Sequence, residues 1–196
     1  MNGDLHNHLY FFCIALIWIV FLGWLFIPAI HKGLPVKRVS SWYVKKSFLV
    51  FFLAIIVIIA VTNLYPGSLI LRIIPDSDAA GIIGVVLTVI GLSFSAWARI
   101  HLGKYWSSMV MIKEGHQLIK TGPYQYVRNP MYTGMLCAFF GAVIAIGLAL
   151  AFLVFGIAAL SVWVKITAEE EILKETFGEE YAQYKREVKR IIPFII

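Results

Sequence analysis

The chain has 196 residues, of which 60% are hydrophobic and only 14% are charged, and its formal net charge is +6. A soluble domain carries about 25% charged residues, so this composition excludes an ordinary soluble fold and indicates an integral membrane protein. Lysines and arginines that flank membrane spans give the same positive sign, so the charge does not indicate nucleic-acid binding.

Three apolar stretches in the first half of the chain have the length of a membrane span. A helix needs about 20 apolar residues to cross the hydrocarbon core of a bilayer, and the segments 8–30, 47–65 and 79–100 each provide such a run. Small residues in the third stretch are expected to let neighbouring helices approach closely. These small residues are Gly81, Gly84, Gly91, Ser93 and Ser95.

The apolar stretch 133–164 has a different length. Its 32 residues are too many for one ordinary span and too few for two full spans, and glycines including Gly147 interrupt it. We expect a tight helical hairpin that is broken near Gly147, with a single long tilted helix as the alternative. The expected fold is therefore all-α and polytopic, with about five transmembrane helices: three spans plus the hairpin.

The distribution of basic residues predicts the orientation. Lysine and arginine are frequent in the first and third connections, whereas the second connection holds only Arg72. Basic loops face the cytoplasm, so the amino terminus is expected outside and the carboxy terminus inside. Residues 102–132 and the tail 165–196 would then meet on the cytoplasmic face. We expect a three-span membrane region at 1–101 and a cofactor-binding region at 102–196.

The tail has the pattern of an amphipathic helix. Thr167 is the expected N-cap, and Glu169, Glu170 and Glu171 would occupy the first turn, where acidic residues suit the helix dipole. Gly178 is expected to break or kink this helix. An amphipathic surface helix explains most of these residues, but it does not explain three consecutive glutamates at the point where a span leaves the membrane.

The segment before the hairpin is rich in turns and polar groups. Gly122-Pro123 and Asn129-Pro130 mark two turns, and the residue before a proline is disfavoured in the helical region. Irregular backbone at membrane depth is tolerated where protein buries it or where it lines a cavity. We therefore expect either a ligand site or a loop that is anchored by interfacial tyrosines. The candidate side chains are His116, Tyr124, Tyr126, Arg128, Asn129 and Tyr132.

Several common motifs are missing from the sequence. It has no glycine-rich dinucleotide fingerprint, no phosphate-binding loop and no zinc-protease motif, so a Rossmann fold is not expected. Cys13 and Cys137 are isolated in apolar stretches, which favours neither a disulfide framework nor a metal site.

Two motifs together carry a family resemblance. The stretch "GHQLIKTGPYQYVRNPMYTG" and the later stretch "EEEILKETFGEEYAQY" resemble the isoprenylcysteine carboxyl methyltransferases and, more broadly, membrane methyltransferases that include phospholipid methyltransferases. The motifs span about the last 40% of the chain. The family often has histidine after the motif arginine, whereas this chain has Asn129, which can form hydrogen bonds but cannot become cationic.

The resemblance implies an integral membrane enzyme that uses S-adenosylmethionine and no metal. It also implies an amphiphilic, lipid-modified substrate that enters from the bilayer, and contacts with membrane lipids. It implies catalytic roles for Arg128 and Glu170, and substrate-side roles for Lys165 and Glu169. The cofactor-binding residues implied in the same way are Lys113, His116, Gln117, Leu118, Ile119, Tyr124, Asn129, Pro130, Met131, Tyr132 and Glu170. His101 and Trp106 are further candidates for lining the same cavity.

Three functional alternatives remain open. The first is methyl transfer to the carboxylate of a prenylcysteine-like lipid; this carboxylate is ionised at neutral pH, so no general base is required. The second is methylation of a phospholipid or other lipid amine, for which Glu169 or Glu170 would remove the proton. The third is a sterol-reductase-like oxidoreductase that uses NADPH. A membrane scaffold without enzymatic activity is the non-catalytic alternative.

Overall fold

The structure of the chain is a computed structural model. It describes residues 2–26, 35–38, 71–106, 111–113, 115 and 117–193. The expected second span at 47–65 lies outside the described residues.

The described chain is mostly helical. Its four helices are α1 (Asn2–Phe26), α2 (Asp78–Leu102), α3 (Pro130–Ile146) and α4 (Ala149–Glu187). Two strands, β1 (Pro35–Arg38) and β2 (Met111–Lys113), form an antiparallel ribbon. In the described part, α2 and α4 are long and apolar enough to cross a membrane. The all-α expectation is therefore corrected only by the ribbon, which joins two polar connections that carry no clear strand pattern.

Helices α2 and α3 pack through small residues. A Cβ atom added to Gly84 would lie 2.7 Å from the carbonyl oxygen of Gly141, and one added to Gly91 would lie 2.5 Å from the carbonyl oxygen of Gly134. The buried Thr88 hydroxyl donates to the carbonyl oxygen of Ala138 at 3.2 Å. Close packing of this kind replaces the hydrophobic driving force that is missing between helices in lipid. The expected packing role of Gly84 and Gly91 is confirmed, and Ser93 is exposed.

Helices α3 and α4 form the expected hairpin. Helix α3 ends at Gly147, whose φ of 69° places it in the left-handed region that favours glycine. The ring centroids of Phe139 and Phe155 lie 5.7 Å apart, and those of Phe140 and Phe152 lie 6.4 Å apart, as in an antiparallel helix pair. The alternative of one long tilted helix is wrong, because the chain reverses direction at Gly147.

The polar connections separate into two groups at opposite ends of the helices. At one end, the amide of Ile73 donates to the carbonyl oxygen of Gly147 at 2.8 Å, so the second connection meets the hairpin tip. At the other end, the β1–β2 ribbon joins the first and third connections, and Val127 pairs with Lys189 of the tail. This arrangement agrees with the expected grouping of connections, while the cytoplasmic assignment of one end stays a prediction.

Helix α4 continues from the apolar membrane segment into the polar tail, and no second helix begins between them. Its 29 residues before Gly178 correspond to about 44 Å of helix, whereas the hydrocarbon core is about 30 Å thick. The polar half after Val164 therefore extends beyond the apolar segment. The expected N-cap at Thr167 is wrong: its hydroxyl donates to the carbonyl oxygen of Trp163 within the helix at 2.9 Å. The expected kink at Gly178 is confirmed by its φ of 52°.

Candidate active site

The polar half of α4 carries a buried carboxylate that is surrounded by cationic and amide donors. Glu170 is only 5% exposed. Its Oε1 accepts hydrogen bonds from Arg128 Nε and Asn129 Nδ2, both at 3.1 Å. Its Oε2 accepts from Arg190 Nη2 at 2.7 Å and from Arg190 Nε at 3.1 Å. We call Glu170, Arg128, Asn129 and Arg190 the Glu170 cluster.

The protonation of Glu170 follows from these contacts. Burial by itself raises the pKa of this carboxyl, but the hydrogen bonds and charges of Arg128 and Arg190 outweigh burial and hold the pKa below its usual value. The ionised form is therefore stabilised. A buried carboxylate that accepts four hydrogen bonds in this way serves well as the centre of a rigid cluster.

The Glu170 cluster joins the turn-rich loop to the tail. The backbone amide of Arg128 donates to the carbonyl oxygen of Lys189 at 2.8 Å, and that of Asn129 donates to the carbonyl oxygen of Arg190 at 3.1 Å. Arg128 Nη1 also donates to the carbonyl oxygens of Lys185 and Val188. The fork of Arg128, whose side chain is 6% exposed, is therefore held by groups of the protein itself.

The loop that carries these residues is shaped by its turns. Gly122 has a φ of 61°, and a Cβ atom at this position would lie 2.8 Å from the imidazole ring of His101. Pro130 occupies the first turn of α3, where the missing amide proton costs nothing. The hydroxyl of Tyr184 donates to the carbonyl oxygen of Tyr124 at 2.6 Å. These contacts fix the irregular segment against α2 and α4.

A second group of side chains surrounds the preceding residue of α4. The hydroxyl of Tyr132 donates to Glu169 Oε1 at 2.7 Å, and the Lys165 ammonium lies 5.4 Å from the centroid of the Tyr132 ring. We call Glu169, Tyr132 and Lys165 the Glu169 group. Burial raises the pKa of Glu169, the charge of Lys165 and the Tyr132 hydrogen bond partly oppose this, and the neighbouring Glu170 adds to it.

Tyr124 lies within the electrostatic reach of the Glu169 group. Burial raises the pKa of its phenol, the negative charge of Glu169 raises it further, and the positive charge of Arg99 partly opposes the shift. Tyr124 therefore keeps its proton.

The remaining expected site residues are placed less closely together. Leu118 and Ile119 are half-buried, whereas Gln117 is exposed. Pro130 is buried, and Met131 packs against an apolar cluster of Phe21, Leu92 and Ala138. Lys113 lies in β2, and His116 lies outside the described residues. No group of three or more metal-ligating side chains occurs within the described ranges.

Sequence reasoning missed two arginines at this end of the molecule. Arg190 was part of a basic tail that favoured only a cytoplasmic orientation, and its distance of 20 positions from Glu170 carries no periodic signal. Arg99 was included in an apolar span. A charged residue within a span was the available signal, because such residues commonly mark functional sites.

The fold and the site together define a class: a mostly helical membrane protein with a polar, carboxylate-containing site at one end of its spans. The family model described as phospholipid methyltransferase matches residues 79–180, which is just over half of the chain. The chain therefore belongs to the phospholipid methyltransferase family.

Curated relatives have sequences similar to this chain. Methanethiol S-methyltransferase 1 of Bradyrhizobium diazoefficiens is 24% identical over 84% of this chain and 62% of the relative. Protein-S-isoprenylcysteine O-methyltransferase B of Arabidopsis thaliana is 29% identical over 57% of this chain and 58% of the relative. The chain thus spans about three fifths of the length of these relatives.

A solved structure shares the fold. The eukaryotic intramembrane Ras methyltransferase, an isoprenylcysteine carboxyl methyltransferase, superimposes with a TM-score of 0.54 at 22% identity, over 82% of this chain and 55% of that one. This likeness confirms the expected membrane fold of the family.

Proposed function

We propose that this chain is an integral membrane methyltransferase that transfers a methyl group from S-adenosylmethionine to the carboxylate of a lipid-modified, prenylcysteine-like substrate. The observation that carries the proposal is the Glu169 group, in which a carboxylate, an aromatic ring and an ammonium lie together within the segment that matches the family. The amphiphilic substrate would enter from the bilayer, and the cofactor from the aqueous side.

The residues present fit the chemistry of this cofactor. S-adenosylmethionine supplies an electrophilic methyl group on a sulfonium, together with an amine and a carboxylate. Aromatic faces attract cations, and Tyr132 and Tyr124 offer two such faces near Glu169. Glu169 suits the positive charges better than Glu170 does, because Glu170 already accepts hydrogen bonds from two arginines.

The chain's own residues would act mainly by binding and orientation. Lys165 would attract the acceptor carboxylate, which is ionised at neutral pH and needs no base. The Glu170 cluster would act as a positioning element, because it fixes the loop that carries Tyr132 and Tyr124 against the tail. Orientation of two reactants in a site that excludes water supplies a large part of the rate enhancement in such a case. A direct catalytic role for Arg128 and Glu170 stays a prediction.

A second candidate is methyl transfer to an acceptor that carries a proton, such as a lipid amine or a thiol. The raised pKa of Glu169 supports this candidate, because a carboxyl with a raised pKa is a better general base near neutral pH. One of the curated relatives is named as a methanethiol methyltransferase. The relatives reported above are named methyltransferases, so they lend no support to the reductase or scaffold alternatives.

Several finer features belong to the same proposal. They are the count of five spans, the absence of a Rossmann fold, the division into regions 1–101 and 102–196, and a cytoplasmic active site with the amino terminus outside. Labelling of single cysteines introduced at residues 76 and 171 from either side of sealed vesicles would test the orientation, because these positions lie at opposite ends of the helices.

The test of the function uses the purified full chain in phosphatidylcholine nanodiscs. We expect S-adenosylhomocysteine to raise the melting temperature and NADPH to leave it unchanged. With methyl-labelled cofactor and a farnesylcysteine analogue, we expect a methyl ester. Base hydrolyses this ester and releases the labelled methyl group as methanol. Transfer that gives base-stable product from an amine or thiol would select the second candidate, and stabilisation by NADPH alone would overturn both.

A further inference from the structure

Arg99 is a cation at the end of an apolar helix, and none of the described carboxylates pairs with it. It lies in the last turn of α2, and its Nε is buried without a hydrogen-bond partner. Arginine keeps its charge in proteins, so the buried Nε carries a desolvation cost, while the side chain as a whole is half-buried.

Other arginines at this end of the helices form ion pairs with glutamates. Arg128 and Arg190 share the carboxylate of Glu170, and the exposed Arg186 contacts Glu179 at 3.1 Å. The Arg99 side chain is instead held by aromatic rings: its Cζ atom lies 4.0 Å from the centroid of the Trp106 ring and 5.9 Å from that of Trp24. A guanidinium stacked on a ring keeps its in-plane N–H groups directed away from the ring, where they can bind an anion bidentately.

Arg99 lies where the turn-rich loop and two half-buried tryptophan rings meet the end of α2. The last turn of α2, which carries Arg99, packs against the turn-rich loop that carries Tyr124, because His101 Nε2 lies 2.9 Å from Thr121 Oγ1. Trp24 and Trp106 are half-buried and pack at the edge of the buried core that α1, α2 and α3 form. A guanidinium that contacts half-buried apolar rings and lies at the end of α2 beside the turn-rich loop suits the head of an amphiphile.

We propose that Arg99 binds the anionic head of the amphiphilic acceptor and so makes the enzyme selective for a negatively charged substrate. The inference rests on the proposed function and deepens it. The guanidinium would hold one oxygen of a carboxylate and leave the other oxygen to receive the methyl group. The apolar chain of the acceptor would lie along the half-buried rings of Trp24 and Trp106, outside the buried core. In this role Arg99 is a specificity-determining residue.

The experiment measures binding, so that it does not depend on turnover. The ligands are a farnesylcysteine analogue and the same compound with its carboxylate replaced by a carboxamide. Their dissociation constants are measured in nanodiscs with S-adenosylhomocysteine present, for the wild type, Arg99→Gln, Arg99→Lys and the control Arg72→Gln. Arg72 pairs with Asp76 at the other end of the helices.

We expect the wild type and Arg72→Gln to prefer the carboxylate at least tenfold, since hydrogen bonds to charged groups contribute about 1.5–3 kcal/mol. In Arg99→Gln the preference should fall at least threefold but not vanish, because Lys165 still attracts the carboxylate, while the affinity for S-adenosylhomocysteine stays the same. Arg99→Lys, which keeps the charge but loses the planar fork, should weaken the carboxylate ligand about threefold or more. It remains informative if the glutamine variant does not fold.

Three outcomes would overturn the inference: an unchanged preference in Arg99→Gln, an unchanged carboxylate affinity in Arg99→Lys, or a loss confined to the cofactor. A further arm adds phosphatidylglycerol to the nanodiscs. If Arg99 holds a lipid phosphate instead, the anionic lipid will compete only in the wild type and the carboxylate preference will not change, which also overturns it. A wild type that binds neither cofactor nor acceptor would instead contradict the proposed function.

Discussion

Two neighbouring glutamates on α4 have opposite surroundings. Glu170 accepts hydrogen bonds from two arginines and an asparagine, and the pKa of its carboxyl is lowered. Glu169 lies beside a tyrosine hydroxyl and an ammonium, and burial raises the pKa of its carboxyl. Successive residues of a helix point about 100° apart, so adjacent side chains meet different partners. We infer that Glu170 stabilises the site, whereas Glu169 is poised for ligands.

The largest expected effect comes from removal of the Glu170 carboxylate. Glu170→Ala leaves two arginines without their counter-charge, and breaking a buried pair costs about 3–5 kcal/mol. We expect a melting temperature lower by about 6–20 °C and faster proteolysis of the tail after Glu187. The matched control is Glu171→Gln, at an exposed glutamate of the same triplet. Equal melting temperatures for the two variants would contradict a stabilising role for Glu170.

A smaller loss of folding stability is expected when one arginine of the Glu170 cluster is removed. Arg190→Gln leaves Glu170 paired with Arg128, so we expect a loss of about 1.5–3 kcal/mol, the range for hydrogen bonds to charged groups. The control Arg186→Gln removes an arginine whose side chain is 65% exposed and should change stability by less than about 1 kcal/mol. If both variants had the same melting temperature, the contacts of Arg190 with Glu170 would contribute nothing to stability.

Replacement of the other glutamate should affect function more than stability. We expect Glu169→Gln to lower methyl transfer about tenfold, which corresponds to about 1.4 kcal/mol, because the carboxylate that would attract the cofactor's positive charges in the proposed function is lost. The melting temperature should not fall. Activity and stability are measured on one preparation, and full activity in Glu169→Gln would remove this residue from the proposed site.

The smallest expected effect is the pH dependence of folding stability, and its sign differs between Glu169 and Glu170. Folding raises the pKa of Glu169, so its ionised form costs stability at neutral pH, and the cost disappears as the pH falls below the unfolded pKa of about 4.3. Glu169→Gln should therefore melt at or above the wild-type temperature at pH 7.5. The advantage should shrink toward pH 4.

Glu170 should behave in the opposite way. Its lowered pKa gives stability that is present above the unfolded pKa and is lost as the pH falls through the folded pKa. Glu170→Gln should therefore melt below the wild type at pH 7.5, and the difference should narrow in acid. Melting curves of both variants from pH 8 down to about pH 3, which lies below the unfolded pKa, test the pair, and the same sign for both would contradict the assigned surroundings.

Much of the fold could be read from hydrophobic length and glycine placement. The third span, the hairpin break at Gly147 and the kink at Gly178 were all expected, because a bilayer sets the length of a span and because glycine tolerates positive φ. The expected helix start at Thr167 was wrong, because a helix that leaves the membrane continues into water without a new cap. The paired strands were missed, because their partners lie in separate connections.

The sequence by itself determined the membrane class, the family resemblance and the two segments that form the polar site, since span length, charge bias and motif spacing are local properties. The tertiary structure decided how the charges are paired. Arg190 reaches Glu170 across 20 positions, and Arg128 reaches it across 42. Such contacts depend on the path of the whole chain. No local pattern could therefore show that the Glu170 carboxylate is paired with two arginines, or that Arg99 has no carboxylate partner within the described residues.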